Sequence, residues 1–413
     1  MGKKSICIVN QYASTPHSGM GCRHHYISRS LVKKGYDVTI VSASFSHILN
    51  QEVKIKGFYR IKYVDGIRYI WLKTLKYKDV HSKLRVINWF IFAFALLNLP
   101  KYLTFSPNLF IYSSPSPIGS YSIKKLAARL NSKYVYEIRD IWPKTLIKLG
   151  GISSKNPIIK LMQWCEDYAY KHCNAACSNL ENSIVHMENH GLSKNKFSWI
   201  PNGIDLEEVE KNKTLISPYK NIINREKFTI GYTGSIGLAN SVNTLVDVAY
   251  KLTSYADIQI VIIGDGKNID ELKRNVKNNN LNNVLFLKRI KKKYIYSTLC
   301  LFDVCYIGWN NNSLYEFGIA ANKIPEYMIA GKPIIHSYSG NCDPVSRAGS
   351  GITVPAESSI EIKNAILKLY NMDEIEMKNI GEKGQIFAKK YYDYSKISNK
   401  YINFLGKEHK EIV

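Results

Sequence analysis

Three short stretches hold residue types that can do chemistry. In GIAANKIPEYMIAGKP, residues 318–333, Lys323 opens a helical pattern whose first turn also holds Glu326. A lysine is disfavoured by the positive end of a helix, so its presence there makes sense if a diphosphate is bound; a solvated surface lysine is the plainer alternative. GYTGSIGLANSVNTLVDVA, residues 231–249, places Gly231, Gly234 and Gly237 between an apolar run and a helical one. Glycines there let backbone approach a phosphate, although a plain tight turn reads the same way. The stretch lacks both GxGxxG with a following acidic residue and the GK[ST] of a P-loop, which argues against oxidoreductase and ATPase chemistry. In YEIRDIWP, residues 136–143, Arg139 and Asp140 follow a strand-like run. They stand at the carboxyl end, where open α/β sheets bind ligands; a surface ion pair is the plainer alternative.

Metal chemistry has little support. No Asp-x-Asp occurs, and the eight cysteines are scattered without a CxxC pair. His172, Cys173 and Cys177 come nearest to a ligand set, on poor spacing. The expectation is therefore no cofactor, no required metal, and incidental thiols in a reducing cytoplasm.

These residues need a scaffold, and the chain reads as two series of alternating strands and helices. The first runs through SICIVN (5–10), a loop with Gly19 and Gly21, a helix from His24, DVTIVSA (37–43), LFIYSS (109–114), KYVYEI (133–138), a long helix near 157–172 and NAACS (174–178). The second runs through FTIGYTG (228–234), IQIVIIGDG (258–266), VLFL (284–287), FDVCYI (302–307), the helix of Glu326 and PIIHS (333–337). Such alternation predicts an α/β protein of two Rossmann-like, doubly wound domains facing across a cleft. The expected boundaries are 1–205 for the first domain, 206–226 for a polar linker, 227–392 for the second, and 393–413 for a helix packing back toward the first.

The formal net charge is +24, and it is uneven: residues 1–200 hold 29 Lys and Arg against 10 Asp and Glu, the remainder 28 against 23. A basic first half implies an anionic partner, whether nucleic acid, a membrane surface or a phosphorylated substrate. VINWFIFAFALLNL, residues 86–99, is apolar nearly all round and bracketed by Lys83, Arg85 and Lys101. It is too short to span a bilayer, which needs about 20 residues. It reads either as a core helix or as an interfacial helix with Trp89, Phe90 and Phe94 at the acyl boundary. The N-terminal sequence does not read as a signal peptide.

Taken in order, PNGID (201–205), the 231–249 loop, IIGDG (262–266) and EYMIAGKPII (326–335) resemble signatures of the large retaining glycosyltransferase family 4, which has the two-lobed GT-B fold. NQYASTPHSGMGCRHHYISRSLVKKGYDVTIVSASFSH, YEIRDIWP and YEFGIAANKIPEYMIAGKP are similar to a bacterial branch that assembles O-antigen and capsule, notably probable L-fucosamine transferases.

The resemblance implies that Glu326 holds the ribose hydroxyls of the nucleotide, a carboxylate accepting from a vicinal diol. The family's other glutamate, eight positions earlier, is replaced here by Gly318, so donor-sugar contacts must differ. The family's cationic grip on the pyrophosphate from the 231–249 region is also replaced, by Ser235 and Asn240 near Gly234. The resemblance points instead to Asn322 and Lys323, with Lys288 or Arg289, for the donor diphosphate. It further places Gly19, Gly21 and Arg23 near the donor phosphates, with His24 and His25 nearby. Asp140 would orient the acceptor hydroxyl and Arg139 would bind an acceptor phosphate. The function implied is metal-independent, retaining transfer of an N-acetylated deoxyhexosamine from a UDP-sugar. Its acceptor would be a polyprenyl-diphosphate-linked glycan at the anionic inner face of the cytoplasmic membrane, with no nucleic acid involved. A UDP-sugar 2-epimerase of the same fold and a basic nucleic-acid-binding protein are the competing readings.

Overall fold

The computed structural model describes residues 3–78 and 82–406. The chain divides into two compact units, one formed by Met1–Pro201 with Tyr394–Val413 and the other by Asn202–Asp393.

The first unit is built on an eight-stranded sheet. β1 (Ser5–Val9), β2 (Asp37–Ala43), β3 (Tyr59–Val64), β4 (Ile67–Leu72), β5 (Leu109–Ser113), β6 (Lys133–Ile138), β7 (Ala175–Ser178) and β8 (Phe197–Trp199) lie in the order β3-β4-β2-β1-β5-β6-β7-β8. All pairs are parallel except β3 with β4. SICIV and LFIYS are buried at every position, as expected of strands covered by helices on both faces. The hairpin of β3 and β4 was not anticipated. It turns at Asp65-Gly66, both with positive φ, the geometry that Asp-Gly supplies to a two-residue turn.

Helices α1 (Arg23–Lys33), α2 (Lys83–Leu97), α3 (Ser120–Arg129), α4 (Lys144–Lys148), α5 (Pro157–His172) and α6 (Ile184–Asn189) complete this part of the unit. α2 is apolar nearly all round, yet only one of its faces is covered. Trp89, Phe92, Ala93 and Leu96 are buried, whereas Leu84, Ile87, Phe94 and Leu97 are exposed. The exposed residues recur every three to seven positions and therefore share one face.

The second unit holds α7 (Leu206–Asn212), β9 (Phe228–Ser235), α8 (Val242–Lys251), β10 (Ile258–Asp265), α9 (Ile269–Asn278), β11 (Val284–Leu287), α10 (Ile295–Leu299), β12 (Val304–Gly308), α11 (Lys323–Ile329), β13 (Ile334–Ser337), α12 (Pro344–Ala348), β14 (Gly351–Val354), α13 (Ser359–Tyr370) and α14 (Glu374–Tyr391). Its parallel sheet has the order β11-β10-β9-β12-β13-β14. The strand order reverses between β9 and β12, the point where a crevice opens at the carboxyl ends of such sheets.

The expected linker, 206–226, is not a linker. It belongs to the second unit, begins with α7 capped by the Asp205 carboxylate, and buries Ser217 and Ile223. Ser217 shares a hydroxyl hydrogen bond with Thr298 at 2.8 Å. The final helix, α15 (Tyr394–Gly406), belongs to the first unit, where Ile397, Tyr401 and Phe404 join the core formed by Ile6, Ile8, Ile27 and Leu31.

Candidate functional site

In the second unit the chemistry gathers where β9 ends. Tyr327 of α11 donates nothing to solvent: its hydroxyl accepts from the Thr233 amide at 3.0 Å and is buried, which pins α11 against β9. Asn202 of the PNGID stretch donates its amide to the Ala320 carbonyl at 2.6 Å and steadies the loop entering α11. Lys323, the first residue of α11, then reaches back over Gly234. A Cβ on Gly234 would collide with the Lys323 side chain, and Gly234 also has φ +146, so only glycine fits there.

The Lys323 ammonium donates to the Tyr232 hydroxyl at 3.0 Å and to Asn240 Oδ1 at 2.8 Å, and it lies 4.6 Å from the centroid of the Tyr232 ring. Both hydrogen-bond partners are neutral. Burial therefore lowers the Lys323 pKa to about 8, because no anion offsets the lost hydration. Asn240 thus holds the cation that arrives from α11.

Glu326 lies one turn along α11 and forms an ion pair with Lys292. Lys288 and Arg289 are exposed at the end of β11; the cation at Glu326 is Lys292, which sequence reasoning missed. Asn322 is exposed and its side chain does not cap α11. Ser235 is exposed, and its carbonyl accepts from the Tyr232 hydroxyl at 2.6 Å. Gly318 has φ +89 and ψ −175, a backbone region essentially reserved for glycine. The missing carboxylate is thus a property of the loop's path, since a glutamate at 318 would be strained.

In the first unit several expectations need correcting. Arg23 is buried, and its guanidinium donates to Glu137 and to the Ile200 and Pro201 carbonyls. It is a structural cation rather than a phosphate ligand. His24 contacts Glu137 Oε2 at 2.6 Å and Tyr401 of α15 donates to Glu137 Oε1 at 2.5 Å. Burial alone would raise the Glu137 pKa, but His24, Arg23 and the hydrogen bonds from His24 and Tyr401 hold it well below the usual carboxylate range. Burial outweighs Glu137 at His24 and lowers its pKa. Gly19 and Gly21 are explained by close packing of their loop, since Cβ atoms there would strike the Ile48 and Tyr12 carbonyls. His25 bonds the Tyr69 hydroxyl at 2.9 Å.

Asp140, Arg85 and Trp89 are brought together through Trp142, whereas the Arg139 side chain lies among Arg23, Glu137, Tyr394 and Tyr401. Asp140 accepts from Trp142 Nε1 at 2.9 Å and from the Thr145 hydroxyl at 2.7 Å; burial still raises its pKa. Arg139 keeps a buried Nε with no hydrogen-bond partner, and burial, then Arg23, lowers its pKa. Arg85 lies over the rings of Trp142, Tyr12 and Trp89 at 5.4, 5.8 and 5.8 Å. Trp89 is buried and donates to the Tyr12 hydroxyl at 3.0 Å, while Phe90 packs partly buried against the same cluster. Those two residues therefore belong to the interior, which leaves Phe94 and Lys83 exposed.

Two mainly parallel sheets of this order, each with polar groups at strand carboxyl ends, define a two-domain α/β protein of the GT-B fold. Residues 18–208 match the glycosyltransferase family 4 model and residues 227–372 match that of glycosyl transferases group 1. The two matches fall in succession over most of the chain, which belongs to the glycosyltransferases. None of the curated proteins matches it.

Solved structures agree in fold. Sucrose-phosphate synthase from Thermosynechococcus elongatus is 13% identical at a TM-score of 0.73, covering 97% of this chain and 98% of its own. Anabaena HepE in complex with UDP and glucose is 13% identical at 0.67, covering 97% and 99%. The E. coli trehalose-6-phosphate protein bound with UDP-2-fluoro glucose is 11% identical at 0.75, covering 98% and 99%.

Proposed function

We propose that this glycosyltransferase takes its sugar from a UDP-sugar, with the diphosphate held at Lys323 and the ribose at Glu326. The observation that carries this reading is a desolvated ammonium with only neutral partners at the switch point of the second sheet. Such a group is incomplete without an anion. Two structures of the same fold are described with UDP or a UDP-sugar, which supports a uridine nucleotide over other diphosphates. When the bond from C1 to the diphosphate oxygen breaks, its electron pair leaves on UDP. A fixed ammonium stabilises that charge with little reorganisation, in keeping with retaining, metal-independent transfer. Asn322 and the backbone at Gly234 and Ser235 border the same place.

On the acceptor side, Arg85 is the cation for a lipid-linked diphosphate, with Asp140 fixed near it through Trp142 to orient the hydroxyl; Arg139 follows the same strand as Asp140 but is turned into the buried Glu137 network. The N-acetylated deoxyhexosamine donor and the O-antigen or capsule acceptor rest on the motif resemblance.

Glu326→Gln tests the nucleotide half. Hydrogen bonds to charged groups are worth about 1.5–3 kcal/mol, so UDP affinity measured by calorimetry should fall roughly 10- to 100-fold. Unchanged affinity removes Glu326 from the ribose.

No helix among the described residues is long and apolar enough to cross a membrane. Attachment would instead use the exposed face of α2, where Phe94 is 67% exposed, together with the basic surplus of the first half. Each Lys or Arg near an anionic leaflet adds about 1 kcal/mol. Ile87→Ser with Phe94→Ser should abolish co-sedimentation with phosphatidylglycerol vesicles while leaving the melting temperature unchanged. Equal sedimentation of variant and wild type would refute the membrane face.

A further inference from the structure

A cluster in the first unit has no part in the proposed transfer. Gln163, Glu166, Asp167 and Tyr170 recur at i, i+3, i+4 and i+7 along α5 and so share one face. His186 of α6 and His190, which caps that helix, are four residues apart and meet this face. Glu166 is 1% exposed. Its Oε1 is occupied, accepting from the Tyr170 hydroxyl at 2.8 Å and contacting His186 Nε2 at 3.1 Å. That arrangement turns Oε2 toward Asp167 and His190. One oxygen of each carboxylate and a ring nitrogen of His190 all lie within 4.8 Å of one another.

The Gln163 amide nitrogen sits among these three ligand atoms, 2.9 Å from Glu166 Oε2, 2.8 Å from Asp167 Oδ1 and 3.0 Å from His190 Nδ1. His190 Nδ1 is itself 2.8 Å from Asp167 Oδ1. No placement of hydrogens makes all four contacts favourable. The amide has two hydrogens and the carboxylates use both. A proton on His190 Nδ1 then faces the amide hydrogens, whereas its absence sets a ring lone pair against a carboxylate. Rotating the amide by 180° is worse, because its oxygen would face two carboxylate oxygens. What three acceptors around one point call for is a cation.

We propose that Glu166, Asp167 and His190 hold a divalent transition-metal ion of the zinc class, which ties α5 to the end of α6. Mixed carboxylate and imidazole donors suit zinc and its neighbours. Tyr170 and His186 orient the buried carboxylate, as outer partners of metal ligands do. Gln163 swings aside when the ion enters. The ion acts on the stability of the first unit and takes no part in the departure of UDP.

The test uses the full chain, treated with chelator, dialysed and titrated with zinc chloride, then with cobalt chloride. One zinc per chain should bind by calorimetry and raise the melting temperature, and cobalt should give the visible absorption of a low-symmetry site. Asp167→Asn with His190→Asn, at partly exposed positions where folding is spared, should remove both signals. Gln163→Ala should bind zinc at least as tightly as the wild type. Tyr170→Phe should weaken it about 10- to 100-fold. Absence of a zinc-dependent rise in the wild type overturns the site. So does the same rise in the double variant, which would mark binding elsewhere on the surface.

Discussion

Lys323→Ala should lower turnover by about 10²–10³-fold, the usual loss on removing one donor aimed at developing negative charge. The same change should raise the melting temperature or leave it unaltered, because the lost ammonium is desolvated and has only Tyr232 and Asn240 as partners. A residue that merely supported the fold would show the opposite pairing. Arginine should not rescue: its planar fork needs more room than the passage over Gly234 leaves.

The pH dependence has a definite sign. With its pKa lowered to about 8, Lys323 is charged below that pH in the free protein and loses its proton above it. Bound diphosphate restores the proton, so UDP affinity should fall roughly tenfold per unit as pH rises above 8. In Lys323→Ala this slope should disappear. Near-normal turnover, or a slope that survives the substitution, would separate Lys323 from the diphosphate.

Glu137→Gln should destabilise the first unit by about 3–5 kcal/mol, since removing one member of a buried ionic group strands the others. Arg23 would keep its two carbonyl acceptors but lose its counter-charge. Chemical denaturation measures the loss, and a change below about 1 kcal/mol, ordinary for a surface site, would show the network to be dispensable. The folded carboxyl titrates well below its unfolded value. Its contribution is therefore present above the unfolded pKa and lost as pH falls through the folded one. The variant should be less sensitive to acid than the wild type.

What the sequence disclosed and what it withheld divide along separation in the chain. Buried runs such as SICIV, LFIYS and IQIVIIG announce strands locally, and their alternation with helical segments carried the fold. Lys323 was visible as an ill-placed charge at a helix start. Its partners Tyr232 and Asn240 lie 91 and 83 residues away, and no spacing rule links them.

Glu137 did leave a signal that went unread: a lone carboxylate inside the otherwise apolar run KYVYEI implies a buried counter-charge. The Asp-Gly at 65–66 likewise announced a hairpin. The segment 206–226 misled because α7 is short and polar and its few buried residues show no period. In 86–99 both faces of α2 are apolar, so composition could not say which was covered. The cluster on α5 contains no cysteine and draws its histidine from the end of α6, so no short spacing marks it.

The first unit is assembled from both ends of the described chain, Glu137 from its middle and Tyr401 from α15, with all of 202–393 between them. During synthesis its sheet therefore emerges early but must wait, with Arg23 and Glu137 lacking their last partner, until residues 202–393 and α15 have left the ribosome. Ribosomes that stop short of α15 release chains in which the second unit is complete and the first is not, a difference that proteases and chaperones can read.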